Sequence, residues 1–275
     1  MNWSELLPTV LKLPINIYKN RVLIQKLWKK FQVYCNSGNT DIVILGRPAV
    51  GKSLFCSHLY GETTNLGYDL PRTSKDVETK AISLGNWAEI VRVIPGQGTR
   101  ERIAALGSIF EAEQVPDGII YVVDWGYTDP RDSVVKKTMI DEEQIDTIEK
   151  LREFNLNIEL EDFAEVLKLI KETYVKRKGP KWIIIAVNKV DLYFDKIDDA
   201  EKYYNLGNNS PFAKLLEETL NHIGKLNIKC KVIPISSWQS DLQWNEEIVK
   251  TNIGGIENVK ALTLNFVNEI AEFNS

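Results

Sequence analysis

The chain has few cysteines and no long apolar run, and both shortages narrow what it can be. Its three cysteines leave an odd count and show no C-x-x-C spacing, so we expect a reducing, cytosolic setting. No apolar run approaches the length of a membrane span, and no signal-peptide pattern opens the sequence. Internal repeats and low-complexity linkers are also missing. These absences disfavour a secreted disulfide scaffold, an integral membrane protein and a repeat array.

What is present is typical of a globular protein. A chain of 275 residues suits one large α/β domain with an added piece, and 44% hydrophobic residues are enough for a sizeable core. The net charge is −4 and the pI is about 5.5, which argues against a general nucleic-acid binder. We therefore expect no nucleic-acid partner.

Residues 46–53 read Gly-Arg-Pro-Ala-Val-Gly-Lys-Ser and fit the phosphate-binding pattern G-x-x-x-x-G-K-[ST]. An apolar run, Asp41–Leu45, precedes the pattern, and Ser53–Tyr60 after it favours a helix, which is the required order. Gly46 and Gly51 allow a backbone geometry and an approach to phosphate that a Cβ would hinder.

The residue types of this loop assign it to a nucleotide. Lys52 is expected to reach the β- and γ-phosphates, and the Ser53 hydroxyl is expected to bind Mg²⁺. The backbone N–H groups of the loop cradle the phosphates. The residues assigned to nucleotide binding here are Gly46, Pro48, Ala49, Val50, Gly51, Lys52, Ser53 and Leu54.

Further apolar runs alternate with helical patterns along the chain. We predict strands over Asp41–Leu45, Glu89–Ile94, Gly118–Asp124, Trp182–Val187 and Lys231–Ile235, and helices over Glu161–Lys178 and at the C-terminus. This alternation predicts an α/β fold, a three-layer and mainly parallel sheet with helices on both faces. Ligands of such sheets bind at the carboxyl ends of the strands, where the motifs fall.

The second motif, Asn188-Lys189-Val190-Asp191, fits N-K-x-D, and with the phosphate loop it resembles the small Ras-like P-loop GTPases, including Arf-like and bacterial members. The resemblance covers roughly residues 41–275 and implies GTP or GDP with Mg²⁺. It implies that Asn188 and Asp191 read guanine and that Lys189 lies along the base and braces the phosphate loop. Ser236 and Ser237 match the family's Ser-Ala pair, whose backbone supports the base; an ordinary turn is the alternative.

The resemblance places the first nucleotide-sensing segment, switch I, at residues 61–80, which are loop-like in composition. It implies that one threonine here contacts Mg²⁺ and the γ-phosphate. We choose Thr73, with Thr79 second; the alternative is that Thr73 is a solvated loop residue.

The second sensing segment, switch II, departs from the family pattern Asp-x-x-Gly-Gln. Gly96 and Gln97 are kept within Pro-Gly-Gln, as in some bacterial Ras-like members, but Val93 stands where the family has the aspartate. By resemblance, the Gly96 N–H binds the γ-phosphate and Gln97 orients the attacking water. Pro48 stands where Ras proteins have a glycine, and Arg47, Arg100 and Arg102 are candidate cations for the transition state or plain surface arginines.

Two additions extend the chain beyond a minimal member of this family. The insertion, residues 129–160, lies in an acidic stretch, since residues 139–165 hold ten acids and two bases. The spacing of apolar residues over 140–152 predicts a helix with one apolar edge, either a partner-docking arm or a solvated helix packed on the domain. A second expansion, Tyr193–Asn209, is a binding loop or a longer connection.

The basic N-terminal extension, residues 1–40, precedes the nucleotide-binding domain at 41–275. Residues 1–31 hold six Lys or Arg, one acid and two apolar groups with tryptophans, which predicts amphipathic helical structure. Residues 1–38 therefore either contact an anionic membrane or pack on the domain or on a partner protein. Asn2 and the absence of a C-terminal cysteine disfavour the usual lipid anchors, so we expect a cytoplasmic protein, peripheral at most.

Together these features predict a guanine-nucleotide switch that hydrolyses GTP slowly and signals to an effector or regulatory protein. Its catalytic residues are expected to be Lys52, Thr73 and Gln97, with Ser53 and Thr73 on the metal ion. A nucleotide-binding scaffold that hydrolyses little is the alternative, favoured by Val93 and Pro48. A third reading, an ATP-specific kinase or ATPase, is disfavoured by the N-K-x-D motif.

Overall fold

A computed structural model describes residue 3 and residues 42–59, 78–81, 90–93, 106–107, 109–111, 115–130, 132–176 and 179–272. Its strands are β1 (Ile42–Leu45), β2 (Glu78–Ala81), β3 (Ile90–Val93), β4 (Gly118–Val123), β5 (Trp182–Val187), β6 (Lys229–Pro234), β7 (Leu242–Trp244) and β8 (Glu247–Val249). Its helices are α1 (Lys52–Leu59), α2 (Ser133–Asp141), α3 (Ile148–Val175), α4 (Ile197–Tyr204), α5 (Pro211–Ile223) and α6 (Ile256–Glu272).

Six strands form one sheet in the order β2-β3-β1-β4-β5-β6. Every neighbouring pair is parallel except β2 and β3, which are antiparallel. The runs that form β4 and β5 are apolar throughout because both of their faces are buried. This arrangement confirms the predicted mainly parallel sheet and brings the carboxyl ends of β1, β4, β5 and β6 to one edge.

Helices cover both faces of the sheet, as predicted. Alternate strand residues such as Tyr121 and Ile185 pack against α3 and α5, through rings such as Phe163 and Phe212. The other set, including Ile44 and Ile184, packs against α1 and α6 through Phe55 and Phe266. The two clusters make the fold three-layered, with the nucleotide motifs at one edge of the middle layer.

The insertion forms two helices, so the single helix predicted across 140–152 is wrong. Helix α2 ends at Asp141, and α3 begins at Ile148 after Thr147, whose side chain accepts the Lys150 N–H at 3.3 Å. Gln144 lies between them with a positive φ of 57°. The cap and this left-handed turn break the helical path that the apolar spacing suggested.

A β-hairpin that the sequence analysis did not predict, β7–β8 (residues 242–249), packs on the insertion. The indole of Trp244 is fully buried and donates its Nε1–H to the Ile145 carbonyl at 2.8 Å. The Glu247 carboxylate accepts the Ile148 N–H at 2.8 Å, where α3 begins. Hairpin and insertion therefore share a small apolar cluster that includes Met139 and Leu151.

Two other predictions meet the structure in part. Residues 78–80, counted within the loop of switch I, belong to β2, where Thr79 pairs with Arg92 of β3. Two short 3₁₀ turns, Val190–Leu192 and Phe194–Lys196, lead into α4, so residues 193–209 hold one of these turns and a helix rather than an open loop.

Of the N-terminal extension only Trp3 is described. It is buried in the main core, and its backbone N–H donates to Glu201 Oε2 at 2.9 Å, so Trp3 itself packs on the domain. The rest of the extension and its boundary at residue 40 lie outside the described residues and stay predictions. Within the described part of the chain, no helix is long and apolar enough to cross a membrane.

Candidate functional site

The phosphate loop joins β1 to α1, as the motif requires. Gly46 has φ of 135°, and a Cβ there would lie 2.3 Å from the Val122 carbonyl oxygen. Gly51 has φ of 94°, and a Cβ there would lie 2.6 Å from Asn188 Nδ2. Both positions exclude a side chain, so the two glycines let the loop curl tightly against β4 and the N-K-x-D loop.

Lys52 opens α1, and its side chain folds back across the loop. Its Nζ donates to the carbonyls of Gly46 at 2.8 Å and Arg47 at 2.6 Å, and the residue is only 7% exposed. The ammonium is thus held at the concave loop, where phosphate charge needs compensation. Pro48, Ala49 and Val50 complete the loop, and Leu54 follows in α1.

A magnesium ion fits the chemistry of this position. The half-buried Ser53 lies in the first turn of α1, and its hydroxyl together with phosphate oxygens gives the hard oxygen ligands that Mg²⁺ prefers. Among the residues that the structure describes, no group of three or more His, Cys, Asp or Glu side chains is arranged to hold a metal. Thr73, the other predicted ligand, lies outside the described residues.

Asn188 fastens the two motifs together. Its Nδ2 donates to the Val50 carbonyl of the phosphate loop at 2.8 Å. Its Oδ1 accepts from Ser237 twice, from the backbone N–H at 3.1 Å and from the hydroxyl at 3.0 Å. The structure therefore brings the phosphate loop, the N-K-x-D loop and the pair Ser236-Ser237 to one place, as predicted from the motifs.

Asp191 is the buried carboxylate of this site. It is 1% exposed, and its Oδ1 accepts the Ser236 hydroxyl at 2.8 Å. Burial raises the pKa of Asp191 to about 6, and hydrogen bonds from Ser236 and from backbone N–H groups oppose part of that rise, as does the charge of Lys189. A buried carboxylate with a raised pKa favours a ligand that presents N–H donors to it.

Lys189 takes a left-handed backbone conformation, with φ of 59°, between Asn188 and the 3₁₀ turn. Its Nζ lies 2.7 Å from Asp124 Oδ2 and donates to the Tyr127 carbonyl at 2.7 Å. The family resemblance implies that Lys189 braces the phosphate loop. In the structure Lys189 instead braces the segment after β4, because Asp124 offers a buried, charged acceptor there. Asp124 also accepts from the Thr128 hydroxyl.

Arg47, considered above as a cation for the transition state, is held by the insertion. Its Nη1 donates to the carbonyl of Asn155 at 2.9 Å and to Asn155 Oδ1 at 3.3 Å. Asn155 in turn donates to the carbonyls of Gly126 and Thr128, each at 2.9 Å. Helix α3 thus ties the phosphate loop to the segment that holds Lys189. The other two candidate arginines lie outside the described residues.

Glu159, one turn along α3 from Asn155, lies under this network. Its Oε1 accepts the Tyr204 hydroxyl at 2.6 Å, and its Oε2 accepts the Asp124 N–H at 3.4 Å. Complete burial raises the pKa of Glu159 to about 8, and the Asp124 charge adds to the rise. Glu159 is therefore mostly protonated at neutral pH. The sequence analysis missed Asp124, Asn155 and Glu159; only Asp124 had a local signal, an acid ending an apolar strand.

The switch residues cannot be placed in the same way. Gly96 and Gln97 lie outside the described residues, so their roles stay predictions. Val93 is the last residue of β3 and pairs with Ile44 of β1, one position before Leu45 ends that strand. The backbone therefore carries Val93 to the edge of the sheet where the phosphate loop begins.

Comparison with known proteins gives the following matches. The profile of the 50S ribosome-binding GTPase family matches residues 41–189. The chain is 25% identical over 232 residues to the protein named GTPase Der of Fusobacterium nucleatum. The aligned region covers 84% of this chain and 44% of that protein. It thus spans less than half the length of this curated relative.

Solved structures with a similar arrangement include the signal recognition particle receptor SRb–GDP from Chaetomium thermophilum. It has a TM-score of 0.43 and 11% identity, covering 85% of this chain and 96% of that one. An ADP-ribosylation-factor-like GTP-binding protein, the small COPII coat GTPase SAR1 from Encephalitozoon cuniculi in complex with GDP, has a TM-score of 0.35 and 17% identity. That match covers 95% of this chain and 99% of the other.

Proposed function

The chain belongs to the 50S ribosome-binding GTPase family, with the P-loop GTPase fold, and we propose that it binds GTP and GDP with Mg²⁺ and hydrolyses GTP to GDP and phosphate. The observation that carries the proposal is the side chain of Asn188. Its amide bonds both the phosphate loop, at Val50, and Ser237, beside the buried carboxylate of Asp191. One side chain thus joins a phosphate cradle to a site that accepts N–H donors.

The phosphate end of the nucleotide binds in the loop of residues 46–51. The backbone N–H groups and the Lys52 ammonium compensate the phosphate charge, and Ser53 contributes a hydroxyl to Mg²⁺. Mg²⁺, held in part by the Ser53 hydroxyl, would neutralise phosphate charge when bound. Because the tight turns at Gly46 and Gly51 are already formed and Asn188 bonds the loop at Val50, little ordering remains to be done when phosphate binds.

The base end binds at Asp191. Its carboxylate accepts the ring N1–H and the exocyclic amine of guanine, whereas adenine offers no matching donors and would leave the carboxylate unpaired. The Ser236 hydroxyl donates to one carboxylate oxygen of Asp191. The Lys189 ammonium is paired with Asp124, and the aliphatic part of its side chain lies beside the N-K-x-D motif. Contact of Asn188 with the base is part of this proposal.

For hydrolysis we propose in-line attack of a water on the γ-phosphorus. Gln97 orients the water, and the Gly96 N–H and Thr73 contact the γ-phosphate, as the family resemblance implies. Val93 in the aspartate position removes one indirect metal contact, and the bonds of Arg47 to Asn155 occupy the candidate arginine that the structure describes. Turnover without a partner should therefore be slow.

Single-turnover hydrolysis of γ-labelled GTP by the purified protein tests this proposal. We expect measurable release of phosphate, on the order of 10⁻⁴ per second, the scale of unassisted Ras-type sites. Gln97→Leu should slow it further and leave GDP affinity unchanged, and ATP should not be consumed. Stable binding of GTP with no turnover would instead support a nucleotide-binding scaffold, which the Val93 substitution and the engaged Arg47 favour.

Signalling is part of the same proposal. The γ-phosphate would order the switch segments, and a partner protein would read that change. The insertion is the proposed docking element, since α2 exposes Val134 and Val135 and the segment at its C-terminal end, residues 141–146, exposes four acidic residues. Peripheral membrane contact through the extension is a separate part of the proposal. It is tested by deleting residues 1–38 and comparing how much protein pellets with anionic liposomes; unchanged pelleting would exclude membrane contact through this segment.

A further inference from the structure

The segment that follows the β7–β8 hairpin returns to Asp191. After the hairpin, the backbone N–H of Asn252 donates to the Asp191 carbonyl at 2.8 Å. The same residue that is proposed to read guanine is therefore held at its backbone carbonyl by a segment outside the sequence motifs.

The side chain of Asn252 extends this grip along the turn that follows Asp191. Its Oδ1 accepts the Phe194 N–H at 3.0 Å, and its Nδ2 donates to Asp195 Oδ1 at 2.7 Å. With its backbone N–H, Asn252 makes three hydrogen bonds to residues 191–195. These bonds fix the 3₁₀ turn on which Asp191 stands, and so they fix where its carboxylate points.

The hairpin is itself anchored, so it can transmit this restraint. Next to Asn252, the Ile253 side chain is buried in the main core. The Thr251 N–H donates to Asp241 Oδ1 at 2.9 Å and closes the base of the hairpin. At the far end, Trp244 is buried against the insertion. The hairpin segment that carries Asn252 is therefore anchored at three separate places: in the main core, at the base of the hairpin and on the insertion.

We propose that Asn252 is a positioning residue that determines how strongly Asp191 discriminates guanine from related bases. The proposal rests on the proposed function, since it needs Asp191 to read the base. Two N–H donors of guanine must meet two carboxylate oxygens, and hydrogen bonds weaken steeply when they are misaligned. Without the bonds from Asn252, the Asp191 carboxylate is still present but is poorly oriented toward the base. The second hydrogen bond, to the exocyclic amine, is therefore weakened most.

The test compares the affinities for GDP and IDP, because IDP lacks only the exocyclic amine. In the wild type we expect GDP to bind about 10- to 100-fold more tightly than IDP, the worth of one hydrogen bond to a charged acceptor. Asn252→Ala should reduce that preference about threefold or more. The matched control is Asn208→Ala, which removes an asparagine bonded only to a loop carbonyl between α4 and α5 and should keep the preference.

A charge swap separates positioning from general damage. Asn252→Asp places a second carboxylate against Asp195 and should lower the GDP preference. Adding Asp195→Asn restores a donor and an acceptor across the same 2.7 Å contact, in reversed order, and should restore the preference. Loss of stability alone would lower the affinities for GDP and IDP together and would leave the ratio between them unchanged in every variant.

The outcomes distinguish the two claims. A GDP preference that stays at the wild-type value in both Asn252 variants would overturn the role of Asn252 and leave the proposed function standing. A wild type that binds GDP and IDP equally would overturn the assignment of Asp191 and, with it, this inference. A preference that falls in the single variants and returns in the swap supports the proposal.

Discussion

Glu159 allows a prediction that depends on the folded protein alone. Its carboxyl group is buried between Tyr204 and Asp124, and burial raises its pKa to about 8. In the unfolded chain it ionises near its ordinary value, so the folded state holds a proton that the unfolded state releases. The stability from this group is fully present at low pH and is lost as the pH rises through about 8.

The size of the effect follows from linkage. Just above pH 7 the folded protein still holds the proton that the unfolded chain has released, and the loss of unfolding free energy stops once the folded protein releases it too, so the loss between pH 7 and pH 9 is about 1 kcal/mol. Glu159→Gln keeps an oxygen that accepts from Tyr204 but has no charge to titrate. The variant should therefore lack this part of the pH dependence, while every other titrating group contributes equally to both proteins.

Urea unfolding of the wild type and of Glu159→Gln at pH 7 and pH 9 measures this loss of unfolding free energy. We expect the wild type to lose about 1 kcal/mol more than Glu159→Gln between the two pH values. Glu149→Gln is the control, since it makes the same change at an exposed position in the first turn of α3 and should behave as the wild type. Equal losses in the wild type and Glu159→Gln would refute the buried, protonated carboxyl.

Three further substitutions probe the nucleotide site. Gly51→Ala forces a Cβ against the Asn188 amide at a positive φ, so we expect about 1–3 kcal/mol of lost stability and weaker GDP binding; an unchanged melting temperature would contradict the loop geometry. Asp191→Asn should weaken GDP binding and favour xanthosine diphosphate, whose altered edge suits an amide, and retained GDP preference in a competition assay would count against the assignment. Arg47→Met removes the hydrogen bonds from the phosphate loop to α3. Nucleotide binding should weaken several-fold, because a bond that holds the loop is worth about 1 kcal/mol, while the single-turnover rate should stay within about twofold. A much larger fall in rate would make Arg47 a catalytic residue.

The parts of the fold that could be predicted are those with local signals. The apolar runs of β4 and β5 specify buried parallel strands by themselves, and the two motifs specify their loops by residue types at fixed spacing. The strand ends agree with the prediction to within two residues. The motif residues Lys52, Asn188 and Asp191 meet at one edge because parallel strands end there.

The rest depends on contacts between distant segments. The short strand β2 reads Glu-Thr-Lys-Ala, which carries little apolar signal, and the strands of the hairpin are three residues long. The bond from Arg47 to Asn155 spans 108 residues, and the Trp244 bond to the insertion spans 99. No local pattern encodes such pairs, because only the folded sheet brings the partners together. The same holds for the three bonds of Asn252 to the guanine-reading turn.

The central claim is that this chain binds guanine nucleotides through the phosphate loop and Asp191. The most direct measurement is equilibrium binding of fluorescent GDP with Mg²⁺, with competition by unlabelled GTP, GDP and ATP, in the wild type and in Lys52→Ala. The account predicts displacement by GTP and GDP but not by ATP, and loss of binding in Lys52→Ala because phosphate charge is left uncompensated. Displacement by ATP as effective as by GTP, or normal affinity without Lys52, would contradict it.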